Sequence, residues 1–522
     1  MELAISYSTP SCLTTLNYER SALAVTRKHT KLYKQGLSVL PFFMIVSKFN
    51  DTQLNSRRSA NYHPNIWDHK LIESFTTPYS YEIHATRLEG LKEDVKTLLT
   101  SPKDSSVLLK LIDSMQRLGV AYHFEKEIKD VIGIQNPNVT SDLYTTALQF
   151  RILREHDVFK KFKSRDGRFV ASLSKDVEGL LSLYEASHLG MHGENILEEA
   201  RDFSMKNLNS LMGKLDSNSA KQVKQSLEIP LHWRVPRVEA RNFIDVYQKD
   251  NKRNLTLLEL AKLDYNLVQS VHQREIKDWW RDLGLTEKLT FSRDWLMENY
   301  FWAMGIVSEP QFSQCRTSLT KFICILTAID DMYDIYGSLD ELECFTEAVN
   351  RWEMTIMVDL PENMQICYDA MHKFVNEIVG DVSKDHGLNT FPYVIEERGC
   401  TLTKTSLDCF KNGSELIHWS SLITRLSDDL GTYEAESKRG DVAKSTLCYI
   451  VREGISEVQA KHCIKELIKS AKNSLPRSIV TMSLNMARTA KCIFQHGDGI
   501  GTSTGAIKDH LTSLLVKEIP ID

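Results

Sequence analysis

An all-α chain of at least two domains is what this sequence predicts, on three observations: its length, its scarcity of glycine and proline, and apolar residues recurring at helical spacing. At 522 residues it is too long for a single core. Its 23 Gly and 13 Pro are each about half of average usage, which favours helices over turn-rich β structure. Leu260, Leu263, Leu267 and Val271 recur at gaps of 3, 4 and 4, one stripe of an amphipathic helix. Similar stripes run through SVLLKLIDSMQRLGVAYHF (106–124), VEGLLSLYEASHL (177–189) and WLMENYFWAMGIV (295–307). Pro230 and Pro236 interrupt the helical pattern within 229–243, which predicts a domain boundary there. The exact repeats of a solenoid are absent.

Charge and cysteine usage exclude several function classes. With 64 Lys+Arg against 69 Asp+Glu and a net charge of -5, the chain lacks the basic footprint that drives nucleic-acid binding. The ten cysteines form no C-x-x-C pair and no zinc spacing, which predicts reduced thiols in a core. The longest apolar run, VLPFFMIV (39–46), is far shorter than the roughly 20 residues of a membrane-spanning helix. The first fifty residues carry only Glu2 and Glu19 as acids, against Arg20, Arg27, Lys28, Lys31, Lys34 and Lys48, with many Ser and Thr. That is the composition of an organelle transit peptide, or of a tail with no address.

Two acidic elements in the second half carry the chemistry. In CILTAIDDMYDIYG (324–337) an apolar helical run delivers Asp330 and Asp334 to one helix face, with Asp331 about 100° round. Two carboxylates on one face can share a hard divalent cation, and Mg²⁺ prefers oxygen ligands completed by substrate phosphates. A solvated acidic turn or a helix N-cap is the alternative, although acids at a helix C-terminal end oppose the macrodipole. In RLSDDLGTYEAESKRGDVAK (425–444), Asp428, Thr432 and Glu436 follow i, i+4, i+8, which drifts about 40° at each step and forms one row of oxygen donors. Arg425 and Lys444 flank that row as cations able to grip a phosphate. An exposed charged helix is the competing reading. A third stretch, RDWLMENYFW (293–302), sets Arg293 among aromatic rings, and ring faces stabilise carbocations as well as pack cores. Arg293 and Trp302 are the two members of it assigned to the site.

At these residues the chain resembles the plant terpene synthases of class I. The resemblance runs from Arg57 to near the C-terminus. It rests on RRSANYHPNIW (57–67), LIDSMQRLGVAYHF, LLSLYEAS, PRVEARNFID, IDDMYDIYGSLDEL and LSDDLGTYEAESKRGD. It implies a two-domain fold, an N-terminal helical barrel and a C-terminal helical bundle of the class I isoprenoid synthase kind. The corresponding limits are a plastid transit peptide over 1–56, an N-terminal helical domain over 57–245 and a metal-binding catalytic domain over 246–522. It further implies Asp330, Asp331, Asp334, Asp428, Thr432 and Glu436 as ligands of three Mg²⁺ ions, with Mn²⁺ able to substitute. Arg293, Arg425 and Lys444 would hold the diphosphate, Trp302 would floor the pocket, and Asp498 in FQHGDG (494–499) would belong to the closing loop. Phe494 stands where many members carry Tyr. The tandem arginines and the transit-like leader resemble the plastid monoterpene branch, implying geranyl diphosphate as substrate, acyclic products such as linalool, ocimene or myrcene, a location in the stroma and a monomer.

The sequence departs from the family at two places. Trp295 occupies the position of the second arginine of an R-D-R element. Asp334 and Asp428 are 94 residues apart, where members carry about three further helices, on the order of 40 residues; the shortening is expected near 393–406. This predicts a catalytically impaired variant as the alternative to an active synthase. A prenyl-chain-elongating transferase would need a second aspartate-rich motif in place of Asp428/Thr432/Glu436. No D-x-D-D is present, so protonation-initiated cyclisation is not expected.

Overall fold

The computed structural model describes residues 65–67, 69–101, 104–134, 142–155, 171–189, 195–386, 420–421, 424, 426–432, 477–500 and 505–521. Among them the regular structure is helical throughout, with no strand. No described helix is long and apolar enough to cross a membrane. The chain divides into two compact units.

One unit comprises His69–Lys277, Val307–Ser313 and Lys508–Asp522. Its helices are α1 (Tyr81–Thr100), α2 (Ser105–Arg117), α3 (Glu125–Ile134), α4 (Leu143–Glu155), α5 (Val177–Ser187), α6 (Asn195–Leu211), α7 (Ser217–Glu228), α8 (Pro236–Tyr247) and most of α9 (Leu255–Leu283). Short polar side chains start several of them: Asp104, Asp176 and Asp216 each accept an N–H of the first turn, at 2.8, 2.9 and 2.9 Å. Helices α4, α5 and α6 pack in succession around Leu180, Leu183, Ala186 and Leu208. Each fully buried Leu contributes about 1.5–3 kcal/mol of transfer free energy.

The stripe over 106–124 does not form one helix. Helix α2 stops at Arg117, and Gly119 takes a left-handed φ of 78° while the Val120 N–H reaches back to the Met115 carbonyl. Glycine serves twice there, because a Cβ would also lie 2.9 Å from that of Ala240 on α8.

A buried ion network ties α2, α5 and α8 together. Glu239 accepts from Arg117 Nε at 2.9 Å and from Arg234 Nη1 at 2.7 Å. Arg234 also donates to Ser226 Oγ and the Ile229 carbonyl, and lies 3.5 Å from Glu185 Oε1. Glu185 Oε2 in turn accepts the Leu231 N–H at 2.7 Å. The stretch over 229–243, where a domain boundary is expected, lies beside this network. The proline-interrupted stretch turns α7 into α8, with Pro236 at the first helical position, and remains inside one unit.

The division instead falls at Lys277 and Asp278. Helix α9 stays with this unit because it grips the end of the chain. Asn266 exchanges two hydrogen bonds with the Ile519 backbone, at 2.8 and 2.9 Å, while Gln269 and Gln273 donate to the Leu514 and Leu515 carbonyls. Those amides satisfy backbone groups around Thr512–Val516, a π turn. Residues 508–521 therefore do not follow the expected 246–522 domain.

The other unit comprises Met1–Asp68, Asp278–Ile306 and Gln314–Ile507. Its helices are α10 (Leu296–Ile306), α11 (Ser313–Asp331), α12 (Leu339–Arg351), α13 (Glu362–His386) and α14 (Arg477–Phe494). Ile325, Ala328 and Met332 from α11 and the turn after it share a core with Phe345 and Ala348 of α12 and Met364, Cys367 and Tyr368 of α13. A capping box between Ser338 and Glu341 fixes the start of α12. Helix α10 packs on α14, where Gly305 leaves room for Thr489 and Asn485 donates to the Ile306 carbonyl at 3.0 Å. The five described cysteines, Cys315, Cys324, Cys344, Cys367 and Cys492, are free thiols.

Burial pushes the Glu239 carboxyl up, but Arg234 and Arg117 beside it hold it below the usual glutamate range. Such a group stabilises the fold above its unfolded-state pKa of about 4.3, and that stabilisation is lost as the pH falls through the folded value. Glu239→Gln leaves the buried Arg234 and the half-buried Arg117 short of their partner and should cost about 3 kcal/mol in denaturant unfolding at neutral pH. The gap to the unmodified chain should narrow below about pH 4.3. An unchanged unfolding midpoint at pH 7 would remove this network from the account of stability.

Candidate active site

The apolar face of α11 fixes where its acids go. Ile325, Ala328 and Met332 face the core, so Asp331 is drawn inward while Asp330 stays at the surface. The Asp331 side chain is 0% exposed and that of Asp330 49%. A buried carboxylate needs compensation, and Asp331 finds it in the loop before α10. Ser292 Oγ and the Arg293 N–H donate to its Oδ2 at 3.1 and 2.9 Å, and the Arg293 guanidinium pairs with its Oδ1. Burial pushes the Asp331 carboxyl up and Arg293 opposes the shift.

Asp331, expected among the metal ligands, is thus surrounded by protein donors, and its positive partner is Arg293. Arg293, expected to hold diphosphate, is committed to that carboxylate. Its guanidinium also reaches Asp330 Oδ2 at 3.5 Å and lies over the Trp295 ring, 4.0 Å from the centroid. The spacing of the acids placed them on the helix. It could not tell which acid would meet a cation from a segment 38 residues upstream.

After Asp331 the helix widens. Met332–Tyr336 is a π turn, closed by the Gly337 N–H on the Met332 carbonyl at 2.8 Å. Turns of this kind are frequent at functional sites. Asp334 lies within it, half-buried.

The second acidic element is described over 426–432. Asp428 is half-buried, and Thr432 is buried with its hydroxyl donating to the Asp428 carbonyl at 2.9 Å. The proton being committed there, the Thr432 oxygen keeps its lone pairs as a neutral ligand. Gly431 is required by close approach: a Cβ would sit 2.8 Å from Phe494 Cβ and 3.0 Å from the Phe494 and Gly497 carbonyl oxygens. Phe494 also lies 6.1 Å from the half-buried Trp302 ring. Trp302, Phe494 and the 426–432 segment therefore meet around the loop that carries half-buried Asp498. Arg425, Glu436 and Lys444 lie outside the described residues.

The donors present, Asp330, Asp334, Asp428 and Thr432, are all oxygens, the set that suits Mg²⁺. Among the described residues no three His, Cys, Asp or Glu side chains form a metal-binding cluster. Sequence reasoning missed Ser292, and it missed what Trp67 does. The indole N–H of Trp67 donates to Glu298 Oε1 at 2.9 Å, and Asn65 donates to Asp294 at 2.9 Å, so the 65–67 segment is latched to the start of α10. Trp67 stood in a quoted motif, but no spacing connects it to a residue 231 positions away.

Comparison with known proteins bears on the same elements. Residues 66–227 match the terpene synthase N-terminal domain, and residues 281–400 and 393–474 match the metal binding domain of the terpene synthase family. A probable terpene synthase 9 of Ricinus communis is 50% identical, covering 99% of this chain and 100% of its own. That alignment spans 587 positions, at least 65 more than the 522 residues here, so the relative carries residues at that many positions where this chain has none. A chloroplastic trans-ocimene synthase of Litsea cubeba is 49% identical over 89% of this chain and 91% of its own. Among solved structures, limonene synthase with 2-fluorolinalyl diphosphate superposes with a TM-score of 0.82 at 34% identity, covering 89% of this chain and 100% of that one. Isoprene synthase from grey poplar, bound to three Mg²⁺ ions and dimethylallyl-S-thiolodiphosphate, gives 0.75 at 33% identity, covering 87% and 99%. A divalent metal cofactor and a small-molecule substrate accompany this kinship. The chain belongs to the plant terpene synthase family, carbon–oxygen lyases acting on phosphates.

Proposed function

We propose that the chain ionises geranyl diphosphate with Mg²⁺, three ions in all, and releases diphosphate to leave a monoterpene, acyclic in the manner of linalool, ocimene or myrcene. One observation carries the reading. Solvent-facing Asp330 lies beside Arg293 at the head of the π turn that bears half-buried Asp334, so two carboxylates stand one turn apart on an ion-paired base. When bound, divalent ions supply Lewis-acid polarisation of the leaving diphosphate.

The protein's own part is positioning. Asp330, Asp334, Asp428, Thr432 and Glu436 offer oxygen donors, Asp331 anchors the helix end through Arg293, and Trp302 with Phe494 offers ring faces to a carbocation. Arg425 and Lys444 are assigned to the diphosphate, and Asp498 to the closing loop. The chloroplastic ocimene synthase relative and the acid-poor leader over 1–56 support delivery to the plastid stroma. A monomer is assigned.

A second reading is favoured by a specific observation. The metal-binding domain is matched in two pieces that meet at 393–400, where the sequence predicts a shortening, and the Ricinus communis relative carries at least 65 positions this chain lacks. The deficit exceeds the 40 or so residues of three average helices. Loss of wall helices opens a pocket to water, which weakens electrostatic stabilisation and quenches cations. On that reading the chain is a catalytically impaired variant.

The purified chain incubated with geranyl diphosphate and Mg²⁺ separates the two. Turnover to monoterpenes at the rates of intact synthases overturns impairment, and chelation should abolish it. Asp330→Ala and Asp334→Ala should each lower turnover by on the order of a hundredfold or more. Asp330→Ala should leave stability within about 0.5 kcal/mol. Arg293→Ala, which strands a buried carboxylate, should lose turnover together with about 3 kcal/mol of stability. Full turnover in either aspartate variant would remove it from the ligand set.

A further inference from the structure

The turn that carries Asp334 is held from outside its own helix. Met332–Tyr336 closes from i to i+5, with the Gly337 N–H on the Met332 carbonyl at 2.8 Å. A tyrosine stands on either side of Asp334, and each hydroxyl is fixed to a different neighbour. Tyr333 Oη lies 2.7 Å from Thr346 Oγ1 on α12. Thr346 commits its one proton to the Leu342 carbonyl at 2.7 Å, so Tyr333 is the donor between them. Tyr336 Oη accepts from Asn363 Nδ2 of α13 at 2.8 Å, and its ring stacks on Phe291, 4.1 Å between centroids and 14° between planes. Phe291 immediately precedes Ser292, so the loop that meets Asp331 at the head of the turn also meets Tyr336 at its far end.

The widening decides how the carboxylates line up. In a continuous α-helix Asp334 would stand about 40° past Asp330, on the side of buried Asp331. An i to i+5 turn advances by about 80° per residue, which stops Asp334 about 20° short of Asp330, on the side away from Asp331. Half-buried Asp334 and solvent-facing Asp330 are thereby brought nearer to one line along the axis. A turn of this kind is rare, and it persists where the surrounding structure holds it. We propose that Tyr333 and Tyr336, through Thr346, Asn363 and Phe291, are positioning residues for a divalent cation: they keep the turn widened so that Asp330 and Asp334 ligate one ion together. The proposal rests on the carboxylate-pair reading above and deepens it, because the affinity for the ion is then set by side chains that do not touch it.

Titration of the full chain with Mn²⁺ alone, followed by loss of the free-ion electron paramagnetic resonance signal, reads the pair without turnover. Tyr333→Phe and Tyr336→Phe each remove one hydroxyl and keep the ring. Each should weaken Mn²⁺ binding about threefold and the double variant about tenfold, the scale of one and of two net hydrogen bonds. Asn363→Ala breaks the same anchor from α13 without altering the turn's own sequence, and should match Tyr336→Phe. Tyr368→Phe is the control: its hydroxyl ties the Ala348 and Glu353 carbonyls in the same core, outside the turn, and its loss should leave Mn²⁺ affinity unchanged. Where geranyl diphosphate is turned over, the double variant should need about tenfold more Mg²⁺ for half-maximal rate and reach within about twofold of the unmodified rate at saturating Mg²⁺. Unchanged Mn²⁺ affinity in the double variant overturns the proposal and leaves the carboxylate-pair reading standing. Equal weakening by Tyr368→Phe overturns it as well, by making the loss general. An unmodified chain that binds no Mn²⁺ overturns both.

Discussion

The pairing of Arg293 with Asp331 is the constraint on which the rest of the site depends. The apolar packing of α11 forces a carboxylate into the core, and an unpaired charge there would cost several kcal/mol. The loop before α10 supplies a guanidinium, a backbone N–H and a hydroxyl to meet it. With that contact made, Asp330 is left facing solvent, Trp295 is laid over the guanidinium, and the helix beyond is free to widen into the π turn that holds Asp334. Of the three aspartates, the one about 100° round the helix is the one that α11 buries and that Ser292 and Arg293 meet.

Sequence was informative wherever the physics is local. The stripes over 177–189 and 295–307 become α5 and α10, because periodicity reports which side of a helix is apolar. The acidic motifs could be read as oxygen-donor rows for the same reason. What could not be read were the long-range partners. The ion network joins Arg117 of the MQRLG stretch, Glu185 of LYEAS and Glu239 of PRVEAR, and these lie in the upstream motifs that carried the family resemblance. Those motifs hold a buried electrostatic frame, which only contacts across as many as 122 positions reveal. The prolines at 230 and 236 mark a turn locally, whereas the amides of α9 that hold residues 514–519 are partners about 240 positions away.

Glycine follows one logic in both units. Gly119 admits α8, Gly305 admits α14, and Gly431 admits the loop after Phe494. Only the first also needs a left-handed backbone. Gly431 lies inside the second acidic motif, between Asp428 and Thr432, so a residue without a side chain is fixed there by steric closeness to Phe494 and the Gly497 carbonyl.

The grip of Asn266, Gln269 and Gln273 on the last residues bears on biosynthesis. Polypeptide emerges from the ribosome N-terminus first, and domains near that end ordinarily fold as they appear. This unit begins at His69, yet its amide ladder waits for backbone groups at 513–519. Three buried amides therefore stay without those partners until about 240 further residues have been made. The unit whose first long segment begins at His69 is completed only once residues 508–521 have emerged.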